Sequence, residues 1–234
     1  MIGYVVVVVL VIVALTAVVI ALNADRPQAA RERVWVALAA SDGTGEGLPD
    51  PAHGNWIALI AATLPPWVAV HNLSIGGLTL DVALGEPAAQ TVMLRPDVVT
   101  VWLVVNDFAA GRSRDVYLAD LDRLLVLLDP TGAQIAIGNM PNLSTVPRFA
   151  ADPVDDAELA ARCAAWNAGI AEVASRHGAT VIDLFTQPVE PSSVGSDGFH
   201  PSTAGQARLA AAFGPWVRRA LGLPPGIADS APPR

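Results

Sequence analysis

The chain contains no lysine, and all 14 of its basic residues are arginines. Against 22 acidic residues they leave a formal net charge of −8. An acidic chain without a basic patch is unlike a nucleic-acid-binding protein, so we predict no nucleic-acid partner. Charged residues make up only 15% of the chain, against a typical share of about 25%, whereas 53% of the residues are hydrophobic. This composition excludes an intrinsically disordered chain.

Cysteines and metal-ligand patterns are equally scarce. Cys163 is the only cysteine, which excludes an internal disulfide framework and a multi-cysteine metal site. The histidines are scattered without the spacing of metal ligands, so we predict no metal. The glycines at 43–47 have neither a G-x-G-x-x-G spacing nor a P-loop lysine, which argues against a phosphate-binding loop.

One long hydrophobic run stands near the N-terminus. Residues 5–22 are apolar apart from Thr16, and a helix of that length spans roughly 27 Å, close to the hydrocarbon thickness of a bilayer. We predict a transmembrane anchor at 1–22, a linker at 23–33 and a proline-rich tail at 223–234. A cleaved signal peptide is the alternative. Three observations argue against a signal peptide: the run is too long, no basic residue precedes it, and no small-x-small cleavage site follows it.

The flanking charges bear on the orientation of this anchor. Arg26, Arg31 and Arg33 follow the hydrophobic run and no basic residue precedes it. By the positive-inside rule this arrangement favours a cytoplasmic location for the rest of the chain.

The body of the chain alternates between strand and helix patterns. Apolar runs predict strands at 33–39, 68–75, 98–105, 134–137 and 181–184. Helical spacing of apolar residues predicts helices at 55–64, 113–128, 155–177 and 202–221, while 78–94 is ambiguous. Such alternation predicts a three-layer α/β/α domain at 34–222, a doubly wound, flavodoxin-like parallel sheet of about five strands. Ligand sites in such sheets lie at the carboxyl ends of the strands.

Polar residues follow the predicted strands at that edge. Ser41 follows the first strand, Gly77 follows the second, Asn106 follows the third, and Asp197 and His200 precede the last helix. A hydroxyl, a glycine turn, a carboxamide and an Asp-x-x-His pair are the parts that acyl transfer requires.

These blocks resemble the SGNH hydrolases, also called GDSL esterases or lipases. The family's first block, Gly-Asp-Ser-x-x-x-Gly, corresponds to AASDGTG at 39–45. The second-block glycine falls on Gly77, with Gly76 as the alternative register. The third block, Gly-x-Asn-Asp, corresponds to VVND at 104–107, and the last block, Asp-x-x-His, to Asp197 and His200.

The resemblance implies a role for each of these residues. Ser41 is the expected nucleophile, His200 its base, and Asp197 the group that orients the base. The oxyanion hole is expected from the backbone N–H groups of Ser41 and Gly77 and the side chain of Asn106.

The sequence departs from the family pattern at two places. Alanines at 39–40 replace Gly-Asp before the serine, and Val104 replaces the third-block glycine. We hypothesise that Asp42 takes over some of the missing hydrogen bonding and that Val104 crowds the cleft. Asp107 is expected to be structural, because another carboxylate near the oxyanion would oppose the developing charge.

The function that the resemblance implies is a serine esterase that forms an acyl-Ser41 intermediate and needs no cofactor. Its expected substrates are carboxylic esters of lipids, short acyl groups or acetylated sugars, and its oligomeric state is left open. The alternatives are an acyltransferase with the same triad and a silent, membrane-tethered binding domain. Family members with such an N-terminal segment are mostly exported, so we expect a single-pass membrane protein with an extracytoplasmic catalytic domain, despite the arginines.

Overall fold

The computed structural model describes residues 32–150, 155–187 and 189–224. The predicted anchor at 5–22, nearly all of the linker and most of the proline-rich tail lie outside these ranges, so they stay predictions. Within the described residues, the helices are too short or too polar to cross a membrane.

Five parallel strands form one sheet in the order β2-β1-β3-β4-β5. The strands are β1 (Arg33–Ala39), β2 (Val68–Asn72), β3 (Val98–Trp102), β4 (Gln134–Gly138) and β5 (Thr180–Ile182). This order is that of flavodoxin-like doubly wound sheets, in which the ligand site lies where the winding reverses, between β1 and β3. The predicted α/β fold with five parallel strands is confirmed.

The helices that follow these strands are mostly short. They are α1 (Ser41–Thr44), α2 (Pro51–Gly54), α3 (Trp56–Ala61), α4 (Leu80–Ala83), α5 (Glu86–Met93), α6 (Val104–Ala109), α7 (Arg114–Leu128), α8 (Pro147–Ala150), α9 (Asp156–Arg176) and α10 (Thr203–Ala220). Three 3₁₀ turns lie at Asp129–Thr131, Leu143–Thr145 and Pro191–Ser193. Helix α3 packs on α10, whereas α7 packs on α5 and α9. The long helices therefore form two groups, as expected for a sheet that carries helices on both faces.

The central strands are buried along nearly their whole length. Every residue of β3 is buried, as are the last five residues of β1. A parallel strand covered on both faces needs such an unbroken apolar run, because both rows of side chains enter the core. One polar side chain on β3, Thr100, accepts a hydrogen bond from the Trp35 indole at 3.1 Å and so is satisfied within the core.

Three of the predicted strands end earlier than expected. The run at 98–105 forms strand only to Trp102, and α6 begins at Val104. The runs at 68–75 and 181–184 form strand only to Asn72 and Ile182. Val104 is fully buried in α6. An apolar run is equally compatible with a buried strand and a buried helix, so the sequence pattern could not show where β3 ends and α6 begins. Asn106 therefore lies within a short helix and not directly at a strand end.

Candidate active site

Ser41 lies at the reversal point of the sheet. It follows β1 after Ala40 and is the first residue of α1, and its side chain is buried. Because the first N–H groups of a helix have no acceptor within it, the Ser41 N–H is not used by α1 itself. Gly45 ends α1 with a φ of 77°, a conformation that glycine adopts without steric cost.

His200 meets Ser41 across 159 positions of sequence, and Asp197 contacts His200 on its other side. His200 Nε2 lies 3.0 Å from Ser41 Oγ, and His200 Nδ1 lies 2.5 Å from Asp197 Oδ2. With the proton on Nδ1, the imidazole donates to the carboxylate, and its Nε2 lone pair accepts from the serine hydroxyl. The three predicted side chains thus form one hydrogen-bonded chain.

The carboxylate of Asp197 is fixed by its own loop. Asp197 Oδ1 accepts the backbone N–H groups of Phe199 at 2.9 Å and His200 at 3.0 Å. The bond to the His200 ring, followed by the Phe199 N–H, lowers the pKa of Asp197 below its usual value. The loop is closed by a 2.7 Å hydrogen bond from the Gly195 N–H to the His200 carbonyl. Asp197 is therefore a charged and oriented acceptor for the imidazole.

Asn106 is held against the loop that follows β2. Its Nδ2 donates to the Leu78 carbonyl at 3.0 Å. An amide nitrogen carries two N–H groups, so one remains to serve another acceptor. Gly77 precedes Leu78 with a φ of 72° on an exposed turn, and it is not among the described residues that line the cavity beside Ser41.

The β2 loop also approaches the nucleophile turn closely at Gly43. Asn72 Nδ2 donates to the Gly43 carbonyl at 2.7 Å. A Cβ atom at Gly43 would lie 2.8 Å from the Cβ of Ser74 and 2.9 Å from that of Ala39. Glycine is therefore required there for the two loops to meet.

Asp107, the neighbour of Asn106, is buried and faces away from the site into a partly buried ionic cluster. It accepts the Leu80 N–H at 2.8 Å, and Arg112 Nε lies 3.0 Å from its Oδ1. Arg112 also pairs with Asp81 and with Asp120. Burial raises the pKa of Asp107 to about 6, against the lowering effects of the Leu80 N–H and Arg112. The arrangement agrees with a structural role for Asp107, since it ties α6 to the start of α4.

A cavity of about 140 Å³ opens beside Ser41, Asn106 and His200. Its wall is mainly apolar and aromatic, including Trp102, Leu143, Val146, Phe149, Leu184 and Leu209. Val104 lies in the core between two lining residues, Leu103 and Val105. The expectation that Val104 crowds the cleft is therefore wrong, because the helical turn directs it elsewhere.

The order, geometry and surroundings of these residues agree with one known family. The chain matches the GDSL-like lipase/acylhydrolase family over residues 39–208. The chain belongs to the GDSL-like lipase/acylhydrolase family. As a member of it, the protein is a carboxylic ester hydrolase.

Solved structures of lipases and esterases have a similar fold. A lipase/acylhydrolase from Enterococcus faecalis is 22% identical, with a TM-score of 0.62 over 83% of this chain and 98% of its own. The esterase EstA from Pseudoalteromonas sp. is 18% identical, with a TM-score of 0.63 over 81% of this chain and 99% of its own. A mutant of Axe2, an acetyl-xylooligosaccharide esterase from Geobacillus, is 17% identical, with a TM-score of 0.62 over 82% and 95%. At these identities the likeness establishes the fold. No curated protein matches the chain by sequence.

Two contacts, one within this GDSL-like site and one behind it, were not found from sequence. Glu46 Oε2 lies 3.7 Å from His200 Nε2, and Arg112 joins three carboxylates. Neither belongs to a block of the family pattern. Both contacts depend on loop geometry, so no sequence signal could have found them.

The remaining histidines and the cysteine lie outside the triad. His53 is exposed and contacts Asp50, and His177 pairs with Asp122 at 2.9 Å. Cys163 is buried in α9, and burial raises the pKa of its thiol. Among the described residues, no group of three or more acidic, histidine or cysteine side chains is arranged to hold a metal ion.

Proposed function

We propose that the protein hydrolyses carboxylic esters through an acyl-Ser41 intermediate. The observation that carries the proposal is the hydrogen-bonded chain from Ser41 Oγ through His200 to Asp197, opening beside an apolar cavity. A serine hydroxyl is a weak nucleophile at its ordinary pKa and needs an adjacent base, which must itself be held in one tautomer.

The first half-reaction forms the acyl-enzyme. Ser41 Oγ attacks the ester carbonyl carbon while His200 Nε2 takes the hydroxyl proton, and the carbonyl oxygen becomes an oxyanion. Asp197 stabilises the imidazolium through Nδ1–H. When the carbonyl re-forms, the bond to the alcohol oxygen breaks, and His200 returns the proton to that oxygen.

The second half-reaction repeats these steps with water. Water attacks the acyl carbon, His200 takes its proton, and the carboxylic acid leaves as the proton returns to Ser41 Oγ. In both halves the oxyanion is met by the Ser41 N–H and by Asn106, and the Gly77 N–H is the third donor that the family pattern predicts. The support for Asn106 is its orientation by Leu78, which leaves a second amide N–H available.

The cavity indicates which part of the ester it accepts. Its apolar wall reaches Ser41 and Asn106 together, so an acyl chain bound there would have its carbonyl at the nucleophile. Burial of apolar surface stabilises binding by about 25 cal/mol per Å². We therefore propose that the acyl group occupies the cavity and that the alcohol leaves past Glu46, beside His200 Nε2.

A covalent probe tests the nucleophile directly. A fluorophosphonate should label the wild-type protein on Ser41, and Ser41→Ala should abolish both labelling and hydrolysis of p-nitrophenyl esters of graded acyl length. Ser175→Ala is the matched control, because Ser175 is an exposed serine on α9. A folded wild-type protein that neither labels nor hydrolyses would instead support a silent binding domain, and ester products formed with added alcohol would support acyl transfer.

We also propose that residues 1–22 anchor the protein as a single-pass membrane protein with an extracytoplasmic catalytic domain. The support is the apolar run at 5–22 and its length relative to a bilayer.

A further inference from the structure

The nucleophile turn is built without the acidic residue that the family carries before its serine. Ala40 stands at that position, and its side chain makes no capping hydrogen bond to α1. The carboxylate comes instead from the other side of the nucleophile. Asp42 turns back over Ser41, and its Oδ1 accepts the Ala40 N–H at 3.1 Å. The residues on both sides of Ser41 are therefore joined to each other.

The second oxygen of this carboxylate is fixed by the core. Asp42 Oδ2 accepts the indole N–H of Trp56 at 2.7 Å. Trp56 is fully buried at the start of α3, where its ring stacks on Phe213 at 4.5 Å and lies 6.3 Å from the ring of Trp35. A ring enclosed in this way has little freedom to move, so it sets the position of the carboxylate.

Gln206 completes a closed ring of hydrogen bonds. Its Nε2 donates to the Asp42 carbonyl at 3.0 Å, and its Oε1 accepts the Trp56 N–H at 2.9 Å. Gln206 is fully buried on α10, the helix that begins shortly after His200. The same ring of contacts thus connects the turn of the serine to the segment that carries its base.

We propose that Asp42, held by Trp56 and Gln206, is the positioning residue that fixes Ser41 against His200 in this chain. The inference rests on the proposed function of Ser41 as nucleophile. Displacement of a reacting group by about 1 Å costs about 10²-fold in rate, so a turn that lacks its usual acid needs another rigid support. Burial raises the pKa of Asp42 to about 6, against the lowering effect of the Trp56 bond. At a pH of about 8 the carboxylate is thus ionised and accepts both N–H groups.

Removing one indole N–H tests this role with a matched control. Trp56→Phe deletes the bond to Asp42 and keeps an aromatic ring, whereas Trp35→Phe deletes an equally buried indole bond that goes to Thr100. At a pH of about 8 we expect Trp56→Phe to lower kcat and the rate of fluorophosphonate labelling by about tenfold or more. KM should change by less than about twofold, since the bond does not contact substrate. Trp35→Phe should lower the melting temperature without lowering kcat.

Asp42→Asn provides a second variant should Trp56→Phe fold poorly. It keeps the shape of the side chain but sets an amide N–H against the Trp56 indole N–H or the Ala40 N–H, so kcat should again fall with KM nearly unchanged. Wild-type labelling rates in folded Trp56→Phe and Asp42→Asn would overturn the proposal and leave the proposed function intact. Equal losses of kcat in Trp56→Phe and Trp35→Phe would overturn it too, because the effect would then be general loosening of the core. Failure of the wild-type protein to label would instead reject Ser41 as nucleophile.

Discussion

The side chain of Asn106 donates to the main-chain carbonyl of Leu78, with the nitrogen and oxygen 3.0 Å apart. This bond joins the start of α6 to the loop that carries Gly77, the two predicted sources of oxyanion donors besides Ser41. Asp107 reinforces the junction by accepting the Leu80 N–H at 2.8 Å. Consecutive residues of α6 therefore bind the chain at Leu78, in the loop after β2, and at Leu80, where α4 begins.

Asn106→Ala removes the predicted side-chain oxyanion donor. We expect kcat to fall by about 10²–10³-fold with little change in KM, because the donor acts on charge that develops in the transition state. Steady-state kinetics with a p-nitrophenyl ester measures this, and circular dichroism checks that the variant is folded. An unchanged kcat would show that another group meets the oxyanion and that the third block was misread.

Asp197→Asn tests the orientation of the imidazole. The amide retains an oxygen for the Phe199 and His200 N–H groups, but it sets an N–H against His200 Nδ1–H and so favours the wrong tautomer. We expect kcat to fall by up to roughly 10⁴-fold. Asp50→Asn is the control, because Asp50 and His53 have the same spacing on an exposed turn. Full activity of Asp197→Asn would reduce the triad to a dyad of Ser41 and His200.

Much of the fold follows from local pattern. The strand at 33–39 was predicted to the residue, and Ser113, the first residue of the predicted helix at 113–128, caps α7, since its Oγ accepts the Val116 N–H. Local pattern failed where an apolar run passes from β3 into α6, because burial of both elements demands the same residue types. It also left 78–94 ambiguous, where the structure has α4 and α5 in sequence.

The candidate site was predictable only in part. The convergence of Ser41, Asn106, Asp197 and His200 follows from their places at the carboxyl edge of a parallel sheet, together with the family's motif order. The bonds of Asp42 to Trp56 and of Arg112 to its three carboxylates were not predictable. They join loops and helices whose relative placement is set by side-chain packing, which has no periodic signature in the sequence.

Gly43→Ala tests the close contact between the nucleophile turn and the β2 loop. A Cβ there would lie 2.8 Å from the Cβ of Ser74, so the loops must separate, and we expect a loss of about 1–3 kcal/mol in the free energy of unfolding. Gly76→Ala is the control. Its Cβ would meet Glu46 Oε2 at 3.5 Å, an ordinary van der Waals contact on an exposed turn, so stability should change by less than about 0.5 kcal/mol. Denaturant titration measures both, and an unaffected Gly43→Ala would show that the loops yield freely.

The buried Asp42 carboxyl should make stability depend on pH. Its pKa is about 6 in the folded protein against an ordinary value of 3.8, because burial disfavours the charged form. Between these values the folded state binds more protons than the unfolded state, so the free energy of unfolding falls as pH rises. Titration of Asp42 across this range therefore lowers the free energy of unfolding by about 3 kcal/mol.

The Asp42→Asn variant has no titratable group at this position, so its stability is the reference against which the wild-type pH dependence is measured. The difference in unfolding free energy between wild type and variant should shift by about 3 kcal/mol in favour of the variant from about pH 3 to about pH 7. Asp107, whose pKa is also raised, is present in both proteins and cancels. A difference that stays constant over this range would show that the Asp42 carboxyl titrates in the folded protein as it does in the unfolded chain.

The final prediction concerns the segment before β1. Strand β1 begins at Arg33, whose N–H donates to the Trp67 carbonyl at 3.1 Å and whose guanidinium pairs with Asp97 at 2.9 Å. Deletion of residues 1–32 leaves both contacts in place, so we expect a folded domain with unchanged kcat that no longer sediments with membranes. The full chain should stay in the membrane fraction after a high-salt wash.

The orientation is then read by adding protease to intact spheroplasts, with a cytoplasmic protein as the control for lysis. Digestion of the domain while that control survives is the expected result, because a single apolar segment near the N-terminus commonly directs export. Survival of the domain until lysis would show that Arg26, Arg31 and Arg33 hold it in the cytoplasm.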